Sequence, residues 1–277
     1  MNRILATIIT AMCIAAIPST SQNKAQVEVS YTVKEPDVRT GNTVEHRYIL
    51  QSGASESKFY SPRTEYVDSL RSTPEGEAKY QEMCSSAFKD GVMRYDAIPR
   101  PDGVYYITKN VSQNRIATYD INGLEQYFME ETMPTWDWHI ADSTKIVLGY
   151  ECQLATTDFH GRKWIVWFTP DIPVMDGPWK LCGLPGIILD AADASGMYSF
   201  TADGVQLSSR CITPVYSANR YERIGRVEFL KAKRKYTDNP VAHINAQLSG
   251  SGVSIISTGN GFRYKSRDEV DFIETDY

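Results

Sequence analysis

The side chains that could do chemistry in this chain crowd around one stretch. Lys145, His160, Arg162, Asp171, Asp176, Lys180 and Asp190 lie in or beside a block that holds all five tryptophans, Trp136, Trp138, Trp164, Trp167 and Trp179. Three readings are open. If Asp171, Asp176, Asp190, Arg162 and His160 converged around the proline-rich connection, they would form the acid–base site of a hydrolase, one of them with a strongly shifted pKa. Arg162 could instead pair with Asp171 or Asp176, or clamp an anionic ligand through its planar fork. The tryptophans, exposed at the mouth of a curved sheet beside Arg162 and Lys180, would line a surface for an apolar or ring-shaped ligand. Buried, the same indoles are core.

Ready-made catalytic patterns are missing. The chain has no Gly-x-Ser-x-Gly, no His-Glu-x-x-His and no phosphate-cradling glycine loop with its lysine. No residue is therefore assigned as catalytic. His46, His139, His160 and His243 do not pair at close spacing, so neither a metal site nor a cofactor is expected. Asp190 and Asp193 read as hairpin-turn residues. Lys231 to Lys235 reads as the wet end of a helix, where positive charge suits the dipole. A formal charge of −5 gives no general attraction to nucleic acid.

The elements that must position these groups are mostly strands. Val27 to Val33 alternates apolar and polar residues, with Val27, Val29, Tyr31 and Val33 toward a core. Further strands are expected at 45–51, 58–60, 104–108, 115–121, 145–157 and 162–169, the last two joined by a turn at Asp158 to Gly161. Another hairpin runs from 186–189 to 197–200. Tyr66, Val67, Leu70, Tyr80, Met83, Cys84 and Phe88 recur at helical spacing. Pro74 splits that segment into two helices, with Thr73 as the cap of the second. Residues 219–236 read as a further helix, 249–261 as a loose connection, and 262–277 as charged with weak strand character.

Prolines bar Thr169-Pro170-Asp171-Ile172-Pro173 and Gly177-Pro178 from a central strand. The strand ending at Thr169 is expected to leave the sheet, cross over it as a stiff loop and re-enter at Ile187. The loop would be either a lid over the sheet or a plug in its open end. Leu184-Pro185-Gly186 fits a type II turn with Gly186 at positive φ. Gly183 would let the backbone approach a neighbour closely.

Met1-Asn2-Arg3, the uncharged apolar run Ile4 to Ile17, Pro18 and the small residues that follow read as a secretory signal peptide over 1–21. The run is shorter than the roughly 20 residues of a membrane span. Residues 22–277 then form one β-rich domain, with a motif core at 136–189 and a looser extension at 211–277. Its four cysteines, Cys84, Cys152, Cys182 and Cys211, could form up to two disulfides after export or remain buried thiols.

Trp136-x-Trp138, Gly149-Tyr150-x-Cys152, Gly161-Arg162-x-Trp164-x-x-Trp167-Phe168-Thr169-Pro170-x-Ile172-Pro173, Gly177-Pro178-Trp179-Lys180 and Gly183-Leu184-Pro185-Gly186-Ile187-Ile188 occur in that order. This block resembles the GLPGLI family of exported bacterial proteins, found mainly in Bacteroidetes. Ile187 stands where the family's name has leucine, and Cys182 where a larger apolar residue is expected. The resemblance implies an exported β-rich protein and no particular activity. The fold class expected is mainly β (α+β): a curved antiparallel sheet or half-open barrel with a few helices against it, analogous to periplasmic lipoprotein carriers. The function expected is a non-enzymatic periplasmic or outer-membrane-associated protein that binds an apolar, lipid-like ligand or an envelope partner. An accessory subunit of an outer-membrane transporter and the hydrolase above are the alternatives.

Overall fold

A computed structural model describes residues 23–37, 41–89, 92–94, 97–249 and 272–277. The segment read as a signal peptide lies outside the described residues, as does most of 249–271. The chain opens with three strands, β1 (Ala25–Pro36), β2 (Thr43–Gly53) and β3 (Glu56–Tyr60), followed by two helices, α1 (Pro62–Leu70) and α2 (Pro74–Ala87). A two-residue hairpin, β4 (Phe88–Lys89) and β5 (Val92–Met93), precedes the meander β6 (Tyr106–Asn110), β7 (Arg115–Asn122) and β8 (Glu125–Thr132). Then come β9 (His139–Val147), β10 (Tyr150–Phe159), β11 (Arg162–Thr169), β12 (Ile187–Asp193) and β13 (Ser199–Leu207). Strand β14 (Glu222–Arg223) and helices α3 (Arg226–Asp238) and α4 (Pro240–Gln247) complete the described order.

Both early helices start as their sequences dictate. Ser61 and Thr73 accept hydrogen bonds from the Thr64 and Gly76 amides, and a proline follows each cap. Two expectations need correction. Residues 145–157 are not one strand, because the chain reverses at Leu148-Gly149, both at positive φ (51° and 86°). That is the geometry of a two-residue hairpin turn, built without the Asn or Asp that normally signals it. Strand β8 was not foreseen: it is rich in Glu and only Met129 is buried along it. Residues 272–277 hold no strand.

Twelve strands make one open sheet in the order β14-β8-β7-β6-β3-β2-β1-β13-β12-β11-β10-β9. Neighbours are antiparallel except β14 with β8. The expected mainly β, half-open architecture is what forms. The sheet curls strongly: Glu131 on β8, near one end of the order, lies 3.2 Å from His160 in the β10–β11 turn at the other. The segment 133–138 that links β8 to β9 must span the gap between those ends.

The inner face carries the main core. Val27, Val29, Tyr31 and Val33 are all buried there, as their alternation requires, with Leu50, Phe59, Trp164, Phe168, Phe200 and Leu184. Phe59 meets Tyr31 edge-on at 6.0 Å and Phe200 edge-on at 6.1 Å. The outer face holds a smaller cluster of Tyr60, Tyr106 and Val215 with Tyr119 and Tyr221. The fully buried Lys58 lies beneath it, pairs with Glu65 and donates to the Thr213 carbonyl at 3.0 Å.

Candidate functional site

The 170–186 loop is a plug. It leaves β11 and returns beside the same strand, since Thr169 pairs with Ile187. It leaves the sheet after Thr169 and re-enters at Ile187, as the prolines had suggested. Residues 176–182 are all buried. A buried lysine on β6 holds them: Lys109 Nζ sits 2.6 Å from Asp176 Oδ1 and donates to the carbonyls of Gly177 (2.7 Å), Trp179 (3.1 Å) and Leu181 (3.3 Å). Asp176 in turn accepts from Ser52 Oγ at 2.7 Å and from the Gly177 amide at 2.8 Å. Tyr31 donates its hydroxyl to the Ile188 carbonyl. These bonds hold Trp179 in the left-handed region (φ 50°), which a bulky residue adopts only when its surroundings enforce it.

The motif glycines exchange their expected roles. Gly183, at φ 90°, takes the positive dihedral, and a Cβ there would also lie 2.5 Å from the Trp136 ring. Gly186 does not have positive φ, so Leu184-Pro185-Gly186 is not a type II turn; its amide bonds to the Leu184 carbonyl. Its demand is space, because a Cβ would fall 2.1 Å from the Thr169 carbonyl oxygen. Gly186→Ala must push β11 and β12 apart locally. It should cost about 2 kcal/mol, an overpacking penalty, measurable as a lower urea midpoint. An unchanged midpoint would show that the loop is not seated on Thr169.

Above the plug, an ionic seam joins the two ends of the curled sheet. Lys180 pairs with Glu131 and, at 2.7 Å, with Glu274. Arg226 at the start of α3 reaches Glu131 (3.3 Å), Glu274 (2.8 Å) and Asp276 (2.7 Å). His160 lies 3.2 Å from Asp276 and from Glu131. Burial alone would raise the Glu131 pKa, but the His160 and Lys180 contacts outweigh it and hold the carboxyl at about 2. Burial is likewise outweighed at Asp276, whose pKa is lowered by Arg226 and His160. Glu131, His160 and Glu274 stand close enough to hold a metal ion, but the lysine and arginine already neutralise both carboxylates. The arrangement suits an internal salt network better than a cation site.

That network straps residues 272–277 across the seam. Arg162 donates to the Phe272 and Ile273 carbonyls, the Thr275 amide donates to the His160 carbonyl at 3.0 Å, and the Arg234 guanidinium stacks over Phe272 at 4.2 Å.

Behind the strap lies a cavity of about 830 Å³. Its walls are the inner face of β6 to β8, the 101–105 segment, α3, and Phe272 to Glu274. Ile107, Met129, Phe229, Leu230 and Trp179 supply apolar lining. Part of the lining is polar. There His46 Nδ1 lies 2.5 Å from Asp102, with Nε2 3.6 Å from Glu35, and Lys233 pairs with Asp120 at 2.6 Å. Burial raises the Glu35 carboxyl above its ordinary value, although His46 and Lys233 oppose it.

The residues singled out in the sequence are distributed unevenly around this cavity. Trp179 lines it. Trp164 is wholly buried in the core, 5.3 Å from Trp179. Trp136 and Trp138 stack on each other at 5.2 Å where the chain spans the seam, and Trp138 donates to the Cys182 carbonyl. Trp167 packs against Lys145 on the β11 side. Arg162 pairs with Asp193 at 2.9 Å rather than with Asp171 or Asp176, because it opens β11 beside the end of β12, where Asp193 lies opposite Trp164, whereas Asp171 and Asp176 lie beyond Thr169 at the other end of β11. Lys180 belongs to the seam. The hydrolase set is dispersed: Asp176 goes to Lys109, Asp190 to Lys145 (2.7 Å), Arg162 to Asp193 and His160 to the seam, while Asp171 is exposed. Asp193 accepts from Ser195 and Tyr198 amides, the turn role expected of it. Gly177, Pro178, Leu184 and Pro185 complete the plug. Cys84, Cys152 and Cys182 form no disulfide among the described residues; burial pushes the Cys152 and Cys182 thiols up, away from reactivity.

The cavity groups Glu35, His46, Asp102, Asp120 and Asn122, and the anchors Lys109, Glu131, Arg226 and Glu274, were not singled out in the sequence. One signal was available for β7: Thr118, Asp120 and Asn122 alternate on one face, and that face proves to be the inner one.

No curated protein sequence matches the chain. The fold is similar to two structures of PNGF-II, in the P21 and C2 space groups, with TM-scores of 0.51 and 0.50 at 14% and 13% identity. The likeness covers 77% and 76% of this chain but 34% and 33% of those, so the chain spans about a third of their length. At that identity the likeness concerns the fold alone. Residues 160–190, which hold the β11 strand and the buried plug, match the model of a GLPGLI-type family described as a protein of unknown function (Porph_ging), in agreement with the resemblance carried by the tryptophan block.

Proposed function

We propose that this is an exported, non-enzymatic binding protein, periplasmic or outer-membrane-associated, that holds a ligand with an apolar body in the cavity behind the 272–277 strap. The supporting observation is the cavity itself. Its volume of about 830 Å³ lies within the roughly 300–1,000 Å³ of small-molecule sites, and such sites combine apolar walls with a few polar groups. The tryptophan block serves this reading through Trp179, the one of its five indoles that lines the cavity. Among the described residues no helix is long and apolar enough to cross a membrane.

The test uses N-phenyl-1-naphthylamine, an uncharged apolar fluorophore, added to the purified chain. One probe should bind per chain, with energy transfer from the tryptophans that is weakened in Trp179→Phe. Val44→Trp, which fills the cavity from β2, should abolish binding. Fluorescence indifferent to Val44→Trp, or no binding at all, would remove the reading.

A further inference from the structure

The charges around the cavity are already used. His46 lies between Asp102 and Glu35, Lys233 is paired with Asp120, and Arg226 is shared among Glu131, Glu274 and Asp276. Arg63 and Arg100 are exposed at the rim. Among the described residues no buried cation is therefore left over to receive a carboxylate or phosphate. A different set of groups lacks partners. The Thr118 hydroxyl and both ends of the Asn122 amide are buried without a hydrogen-bond partner among the described residues, and both residues line the cavity. Asn122 is 2% exposed and Thr118 8%. An orphaned buried amide or hydroxyl costs about 1–3 kcal/mol, so two such residues on one cavity wall lower the stability of the fold unless something meets them.

These groups are all uncharged and offer donors and acceptors together. Thr118 and Asn122 alternate on the inner face of β7 with Asp120 between them, so they address one short length of ligand. Tyr105 and Glu35 line the same cavity, close enough to each other for the Glu35 charge to act on the Tyr105 hydroxyl. A hydroxyl can donate to Glu35 or Asp120 and accept from Asn122 or Tyr105. An ammonium cannot accept and a carboxylate cannot donate. We infer, resting on the cavity reading above, that these polar groups recognise an uncharged, hydroxyl-rich head group, so that the ligand is a neutral polyol amphiphile with its apolar part toward Trp179, Phe229 and Leu230.

The experiment compares three probes with the same tail below their micellar concentrations: n-octyl-β-glucoside, octanoate and octyltrimethylammonium. Titration calorimetry on the purified chain should give at least about tenfold tighter binding for the glucoside, a difference of about 1.4 kcal/mol. Thr118→Val and Asn122→Leu should each erase most of that preference. They should also raise the melting temperature, since each removes an orphaned polar group. A purely structural role for these side chains would lower it instead. Equal binding of all three heads, or a preference that survives both substitutions, overturns the inference while leaving the cavity reading intact. Failure of every probe, N-phenyl-1-naphthylamine included, overturns both.

Discussion

Lys109→Met should destabilise the protein by about 3–5 kcal/mol, the usual cost of stripping one partner from a buried ion pair. The ammonium is 2% exposed and Asp176 10%. Without it, Asp176 is left a buried, half-satisfied carboxylate, and the Gly177, Trp179 and Leu181 carbonyls lose their common donor. At about 2–4 °C per kcal/mol for a chain of this size, the melting temperature should fall by roughly 10 °C. The second half of the cycle separates charge from shape. Lys109→Met with Asp176→Leu removes both charges and should recover much of the loss, because an apolar pair of similar volume often replaces a buried ion pair at little cost. A single variant as stable as the parent would show that the plug is held by its indoles and prolines alone.

Glu131→Gln should cost on the order of 3 kcal/mol at neutral pH, and the cost should vanish in acid. The carboxyl is held at about 2, against 4.5 for a free glutamate. A group whose folded pKa is depressed contributes its stabilisation fully above the unfolded value and loses it as pH falls toward the folded one. The parent protein should therefore lose this increment between about pH 4.5 and pH 2. Urea unfolding across that range should show a shallower pH dependence in the variant, by about one proton. It will not become flat, because Asp276, Asp193 and Glu28 also have lowered pKa values. Parallel curves for the two proteins would mean that the seam does not depend on Glu131.

Much of the framework was legible because its signals are local. The fault-free alternation of Val27 to Val33 gives β1 and its buried face. Pro74 and Thr73 place the α1–α2 break and the cap of α2. The prolines of 170–186 exclude a strand, and no strand forms there. His160-Gly161 closes the β10–β11 hairpin with both φ positive, inside the turn read at 158–161. The failures share a cause as well. Leu148-Gly149 makes the same kind of turn from a pair that usually continues a strand, and the neighbouring pairing of β9 with β10 enforces it. On β7 the periodicity is plain, but Tyr119 and Ile121 are the apolar choice for the core. The sheet instead turns Thr118, Asp120 and Asn122 inward, because Tyr119 is needed by the outer cluster against Tyr221.

What the sequence determined alone is whatever depends on neighbours along the chain: which stretches are strands, where the helices begin, and that the tryptophan block is rigid. Which charges meet depended on the curl of the sheet. Lys109 and Asp176, and Lys180 and Glu131, are separated in the chain and belong to different elements. Their pairing follows from a dozen strands wrapping until β8 faces the β10–β11 turn. Coulomb attraction over a few ångströms of low-dielectric interior is strong, but only the curled geometry of the fold chooses the partners it acts between.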